Sequence, residues 1–322
     1  MTVFYAAVLP EYLCEVTDLW SHLMRPSLRD DDFNMEKNVI KEEIAMYQDL
    51  PNFDVMDRCR SMHFEGHPCG HSVLGSVESI DKLSAVQMRS YFNNRYAPNN
   101  MTLTVVGNFE WDKVTDLAQS LCNKWQKQPV SRETSHFEGS FKKQRIIKAN
   151  LASEHICLIS SGVSAQDPRR FAAHLLATII GDTCGSRYFW ELVDKAIAQC
   201  AYMQYAPMDG TGALYSYFQC NKENANTVIE KTNKIFSEIS GKGVTEDELT
   251  KAKNKILSSL VIKNELPMGR LVDVGFNWIY NSEYLTVEQD MDAIRQVSTE
   301  DIKLLIDDIQ PAQYTHFSIG PE

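Results

Sequence analysis

The chain has 322 residues, of which 43% are hydrophobic and 23% charged, and a formal net charge of -11. This composition suits a folded globular protein long enough for two cores, and it excludes disordered and fibrous classes. The acidic balance speaks against nucleic acid or an anionic membrane surface as the main partner, because both demand a basic patch; a basic or extended peptide stays compatible.

The chain opens on Val3-Phe4-Tyr5-Ala6-Ala7-Val8, which reads as a strand buried on both faces, an odd beginning because chain termini usually lie exposed. No basic region precedes this run and Pro10 follows it, so it is not a signal peptide. No apolar run reaches the roughly 18 residues that span a bilayer, so no membrane span is expected. Localisation stays open, cytoplasmic by default, because an export signal would precede Met1. Apolar residues at helical spacing predict helices over about 11–25, 33–48, 53–64 and 83–94, then a strand at 101–109, "MTLTVVGNF", and a helix at 111–125. The polar stretch 126–140, "QKQPVSRETSHFEGS", has no periodicity and reads as a linker between two lobes. Beyond it the pattern predicts strands near 142–149 and 154–162, a helix at 168–182 and another opening near 186. Strands near 200–206 and 212–220, helices to about 309 and a last strand, "QYTHFSIG", complete the chain.

The two halves repeat one another. "EKNVIKEEI" at 36–44 matches "AKNKILSSL" at 252–260, "DLP" at 49–51 matches "ELP" at 265–267, and "PNNMTLTVVG" at 98–107 matches "PAQYTHFSIG" at 311–320, with offsets of 216, 216 and 213 residues. Near-constant offsets over three separated segments indicate a duplicated αβ lobe. Residues 146–216 of the second copy have counterparts that would fall before residue 1, so the first lobe reads as incomplete. The expected fold class is α+β: two homologous lobes, each with a mixed or antiparallel sheet flanked by helices.

Two groups of residues attract attention as chemistry. Residues 63–71, "HFEGHPCGH", place His63, His67 and His71 four apart, which would suit zinc on a helix face. Gly66, Pro68 and Gly70 punctuate the stretch, however, and the competing reading is a surface loop carrying solvated histidines. The eight cysteines, at 14, 59, 69, 122, 157, 184, 200 and 220, form no CxxC pair, so a zinc ribbon or thioredoxin-type site has no support. The second group is Glu36, Glu42 and Glu43, whose counterparts in the other copy are Ala252, Ser258 and Ser259. Glu36 and Glu43 are seven apart, so a helix carries both on one side, either as two carboxylates pointing into one site or as a solvated face.

The stretch from "EKNVIKEEI" through "DLP", "GHPCGHSVLGS" and "YFNNRYAPNNMTLTVVGN", with "GSRYFWELVD" in the second copy, resembles the pitrilysin, insulysin and mitochondrial-processing-peptidase family of zinc metallopeptidases, its compact bacterial members above all. The resemblance covers essentially the whole chain. It implies two lobes forming the halves of a clamshell: an N-terminal peptidase lobe at 1–125 without its first 70 to 90 or so residues, a linker at 126–140, and an inactive-type lobe at 141–322. It implies zinc as cofactor, Glu43 as the distal zinc ligand and Glu36 as a supporting carboxylate. It also places "GHPCG" in a loop, which argues against His63, His67 and His71 as ligands. The family's HxxEH motif, which supplies two histidine ligands and the general base, should lie roughly 70 to 80 residues before the glutamate ligand. Only 42 residues precede Glu43, so the chain itself should be inactive and should not hold zinc tightly. Where many relatives carry a substrate-holding arginine and tyrosine, this chain has Val193 and Cys200, with Tyr202 nearby; Arg187 of the "SRxF" pattern reads equally as a structural residue pairing with a carboxylate or a helix end. The functional expectation is a zinc-dependent endopeptidase acting on peptides or unfolded proteins, of which this chain is a part. The alternative is a non-catalytic subunit that dimerises with an active relative, as a homodimer or heterodimer.

Overall fold

The computed structural model describes residues 1–132 and 134–322; residue 133, inside the predicted linker, lies outside the described residues. The second half carries β1 (Lys143–Ile147), β2 (Glu154–Gly162), β3 (Cys200–Pro207), β4 (Gly212–Cys220) and β5 (Tyr314–Gly320). These form one mixed sheet in the order β1-β5-β2-β4-β3. The C-terminal strand β5 is inserted between β1, with which it runs parallel, and β2, which it meets antiparallel with Cys157 opposite Phe317. All five strands answer to strands that the sequence predicts.

The central strand β2 is buried at nearly every position and needs cover on both faces. Ile156 and Leu158 of β2 join a core with Leu175, Leu176 and Ile180 of α7 (Arg170–Gly181), Phe236 of α8 (Ala225–Lys242), and Leu305 and Ile306 of α12 (Thr299–Ile309). Each such side chain contributes roughly 1.5 to 3 kcal/mol by leaving water. Gly181 ends α7 where a Cβ would lie 2.3 Å from the Met203 amide nitrogen, so only glycine allows α7 this close to β3. Cys157 and Ile159 face the other way, into a smaller core with Phe317, Ile319 and with Val55, Cys59 and Phe64, contributed by α3 (Pro51–His63) and the residue after it.

The repeat is visible in the elements. Helix α2 (Asp30–Asp49) and α9 (Glu246–Glu265) have the same length, and α3 and α10 (Pro267–Asn281) each begin on a proline, where a missing N–H costs nothing. A reciprocal capping box opens α5 (Ala85–Arg95), from Ser84 and Gln87, and α12, from Ser298 and Asp301. Capping boxes also open α4 (Val77–Lys82), a helix the apolar periodicity does not reveal, and α11 (Val287–Gln296). Helices α1 (Leu13–Leu23) and α6 (Trp111–Cys122) lie where the sequence predicts them.

The chain clusters into two compact units that are not contiguous in sequence: residues 1–42, 76–133 and 261–285 form one, and 43–75, 134–260 and 286–322 the other. Thus α3 belongs to the unit of the five-stranded sheet, whereas α10, its counterpart, belongs to the other unit. Two predicted strands are absent: residues 3–8 and 101–106 have no regular structure, and Val3, Phe4, Tyr5 and Val8 are exposed. A strand is stable only when a neighbour accepts its backbone hydrogen bonds, and among the described residues neither segment has such a neighbour. One sheet, not two, is therefore present among the described residues.

Arg187 closes one corner of the large core. Its guanidinium donates to Glu248 of α9 through Nε (2.7 Å) and Nη2 (2.9 Å), and to the carbonyl of Gly243, which caps α8. It thus pairs with both a carboxylate and a helix end. Burial alone would raise the Glu248 carboxyl, but the Arg187 fork and the Thr245 amide outweigh it and hold the group below its ordinary value. A carboxyl depressed on folding adds stability above its ordinary pKa, and that stability is lost as the pH falls through the folded value.

Two substitutions test this account. Ser282 caps α10 in the left-handed region (φ 56°), where an L side chain costs roughly 1 to 2 kcal/mol, and its counterpart after α3 is Gly66 (φ 83°). Ser282→Gly should therefore stabilise the chain by about 1 kcal/mol in urea unfolding; a neutral or negative change contradicts the assignment. Arg187→Ala should cost about 2 to 3 kcal/mol, and Arg187→Lys should recover less than half, because an ammonium cannot reproduce the two-pronged donation.

Candidate functional site

Helix α2 is built to stay helical at its ends and polar along its length. Asp30, Asp31 and Asp32 sit in its first turn, where the helix dipole favours negative charge. Phe33 and Ile44 are its buried residues, and Lys37 reaches the carbonyls of Asp81 and Leu83 at 2.9 and 3.0 Å, while Lys41 pairs with Asp81 at 3.0 Å. Glu36 is exposed and Glu43 half-buried. They lie on one side of α2, about 10 Å apart along its axis. Neither carboxylate has an ion pair or side-chain hydrogen bond among the described residues. The equivalent positions of α9 carry Ala252, which is buried in the large core, and Ser259.

The histidine stretch departs from the solvated-loop reading. His63 is the last residue of α3 and has no exposed surface; His67 is 9% exposed, and only His71 faces solvent. Glycine and proline do break the chain after residue 65, but α3 continues to His63 because its Val55, Cys59 and His63 face is needed against β2 and β5. The His63 ring lies edge-on to Phe64 with centroids 4.7 Å apart, and its Nδ1 is 2.9 Å from Thr315 Oγ1 of β5. Its Nε2 is buried without a partner, and burial pushes the imidazole down to about 4. His67 pairs through Nε2 with Ser135 Oγ at 2.9 Å, and its Nδ1 accepts from the Cys69 amide.

Part of the predicted linker is held here too. Within the sheet-bearing unit, residues 134–141 cross the end of α3: Phe137 stacks near Phe64 and His67, Ser140 Oγ donates to the Met62 carbonyl, and the Phe141 amide donates to Thr315 Oγ1. The single clue in the sequence is Phe137, an aromatic inside a polar stretch.

These residues do not assemble a metal centre. Among the described residues, no group of three His, Cys, Asp or Glu side chains is placed to hold an ion, and Glu43 is not joined by His63, His67 or His71. Zinc requires three or four ligands, so the residues present do not fit a complete zinc site. In the second half, Val193 lies in a π-helical turn (Phe189–Val193) and Cys200 at the start of β3; Tyr202 stacks 5.3 Å from Tyr217 with its hydroxyl near Met56. No described helix is long and apolar enough to cross a membrane.

Comparison with known proteins agrees with this architecture. Residues 82–256 match the family model described as the peptidase M16 inactive domain. An uncharacterised zinc protease of Mycobacterium leprae is 26% identical over 329 residues, covering 99% of this chain and 73% of that protein. Among solved structures, a protease from Helicobacter pylori shares the fold with a TM-score of 0.88 at 16% identity, over 97% of this chain and 78% of its own. A chain of complex III2 from Candida albicans shares it with a TM-score of 0.82 at 15% identity, over 97% and 78%. With a family model matched over more than half its length, the chain belongs to the M16 peptidase family, whose inactive-type domain it carries.

Proposed function

We propose that this chain is the larger part of a zinc-dependent metalloendopeptidase that cleaves peptides or unfolded proteins, the remainder supplying the HxxEH helix. In sequence terms its lobes are 1–125 and 141–322, joined by 126–140. The observation that carries the reading is the contrast between the two long helices: among the described residues α2 keeps Glu36 and Glu43 free of partners, whereas α9 buries Ala252 at the first of these positions. A solvated helix face gives no reason for that difference. Glu43 is the residue that would bind zinc and Glu36 the carboxylate beside it. The cleavage chemistry belongs to groups that this chain does not contain. Its own contribution is one ligand, the scaffold that orients α2, and the second lobe of the clamshell.

The repeat supports an incomplete first lobe. Gly275 of α10 lies against Thr104 (a Cβ would be 3.4 Å from Thr104 Oγ1), as its counterpart Cys59 lies against β5, with Sγ 3.7 Å from the Thr315 carbonyl oxygen. This parallel supports residues 101–107 as the counterpart of β5 in the first copy. The share of the Mycobacterium relative left uncovered, beside 99% coverage of this chain, agrees. A non-catalytic subunit that dimerises with an active family member is the second reading, favoured by the absence of a complete ligand set among the described residues.

The intact mass of the protein in its source cells separates the two. A product about 8 to 10 kDa above 36.7 kDa has room for the HxxEH segment and supports the peptidase, whereas 36.7 kDa supports the partner subunit. Metal analysis of the purified 322-residue chain should find well under one zinc per chain; a tight stoichiometric zinc would overturn both readings.

A further inference from the structure

The stretch 134–141 is anchored to the sheet-bearing unit at successive points, and most of them fall on two imidazoles or their immediate neighbours. Thr134 lies against Gly210, where a Cβ on the glycine would be 2.7 Å from the threonine Cβ. Ser135 pairs with His67, and the Phe137 ring centroid lies 5.4 Å from that of His67, 5.5 Å from Phe64 and 6.4 Å from His63. Gly139, at φ 68°, presses its backbone onto the His63 ring so closely that a Cβ would come within 2.3 Å of Cε1. Phe141 closes the far side of the ring at 6.3 Å.

The hydrogen bonds leave no place for a second proton on His63. Thr315 Oγ1 accepts from the Phe141 amide, so towards Nδ1 it offers either its one proton or its remaining lone pair. In both arrangements Nε2 stays unpartnered and out of contact with water. An imidazolium would carry N–H on both nitrogens, and the one at Nε2 would be a buried cationic donor with no acceptor. Among the described residues no carboxylate is placed to compensate it: on the strap itself His136 and Glu138 are exposed. On α3 the Cys59 thiol, pushed up by burial, lies one turn back, and Arg60 is paired with Asp57. The loop after α3 offers His67 and the exposed Glu65, which is paired with Lys142, β5 offers Thr315, and burial is the sole cause of the His63 shift.

We propose that residues 134–141 form a proton-gated strap, closed over His63 and His67 while the His63 ring is neutral and released when His63 takes up a proton. Release lets the imidazolium reach water. It also uncovers Phe64, which the Phe137 ring covers in the closed form. The sign follows from the direction of the shift. A base whose pKa is lowered in the closed form stabilises that form fully above its ordinary pKa of 6.5, and progressively less as the pH falls towards about 4. Between pH 7.5 and pH 5 the opening equilibrium should rise about 30-fold.

Hydrogen exchange of the whole 322-residue chain, followed by mass spectrometry at pH 7.5 and pH 5 with labelling times corrected for intrinsic rates, tests this. Segments 60–71 and 134–142 should exchange about 30-fold faster at pH 5 while β2 and β4 stay protected. Unchanged exchange in these segments, or loss of protection only together with β2 and β4, overturns the strap. His63→Gln cannot take up the proton and should abolish the pH response; a response that persists in it also overturns the proposal. Should that variant fail to fold, ring resonances of 15N-labelled histidine in the unaltered chain decide. Titration of His63 well below 6.5, in step with the exchange, supports the gate, and an ordinary midpoint refutes it.

Discussion

A sheet whose middle strands are apolar on both faces has to be covered twice, and everything else in the sheet-bearing unit follows from how that is done. On one face the cover comes from nearby in sequence: α7, α8 and α12 are interleaved with the strands and bury the larger core. On the other it comes from α3, nearly a hundred residues before β2. That helix meets β2 and β5 through Val55, Cys59 and His63, and the strap at 134–141 finishes the seal at its C-terminal end. Polar atoms are drawn into this second core as well, His63 Nδ1 and Cys59 Sγ finding partners on β5. His63 Nε2 is one of the buried polar atoms left without a partner, and the strap lies directly over its ring.

The duplication gives the same constraint a second expression. By sequence α3 belongs with the first copy and α10 with the second, yet each is found in the other unit. The exchange is reciprocal, and it accounts for the contrast in burial between the two helices. The sheet that α3 covers is complete. Gly275 of α10 lies against residue 104, in a segment without strand partners among the described residues, and α10 has no buried residue. The long helices preceding them, α2 and α9, carry the chain across between units, which is why the division of the chain falls inside both.

Much of this was legible in the amino-acid pattern. Periodicity locates the five strands of the sheet and the long helices that pack on it, and the repeat offsets anticipate the matching lengths of α2 and α9. The pattern fails where a partner at long range decides. Val3–Val8 and 101–106 have the composition of buried strands but no ladder to join, so composition alone misleads. His63 looks like part of a polar, glycine-rich loop, and only the arrival of Thr315, 252 residues later, makes it a core residue. Helix α4 depends on a serine capping box instead of an apolar face, and the strap on one phenylalanine. Glu36 and Glu43 could be singled out from the repeat and the family resemblance, since each copy shows what the other lacks.

The position of β5 has a consequence for how the protein is made. This strand is inserted between β1 and β2, yet it lies at residues 314–320 and leaves the ribosome after every other element. Until then β2 has a bare flank, β1 has no neighbour, and the apolar face of α3 lacks the β5 part of its seat. The nascent chain must therefore carry Val55, Cys59 and Phe64 incompletely covered through most of its synthesis. A topology so dominated by distant pairings folds slowly, which makes the unfinished chain a natural client for chaperones.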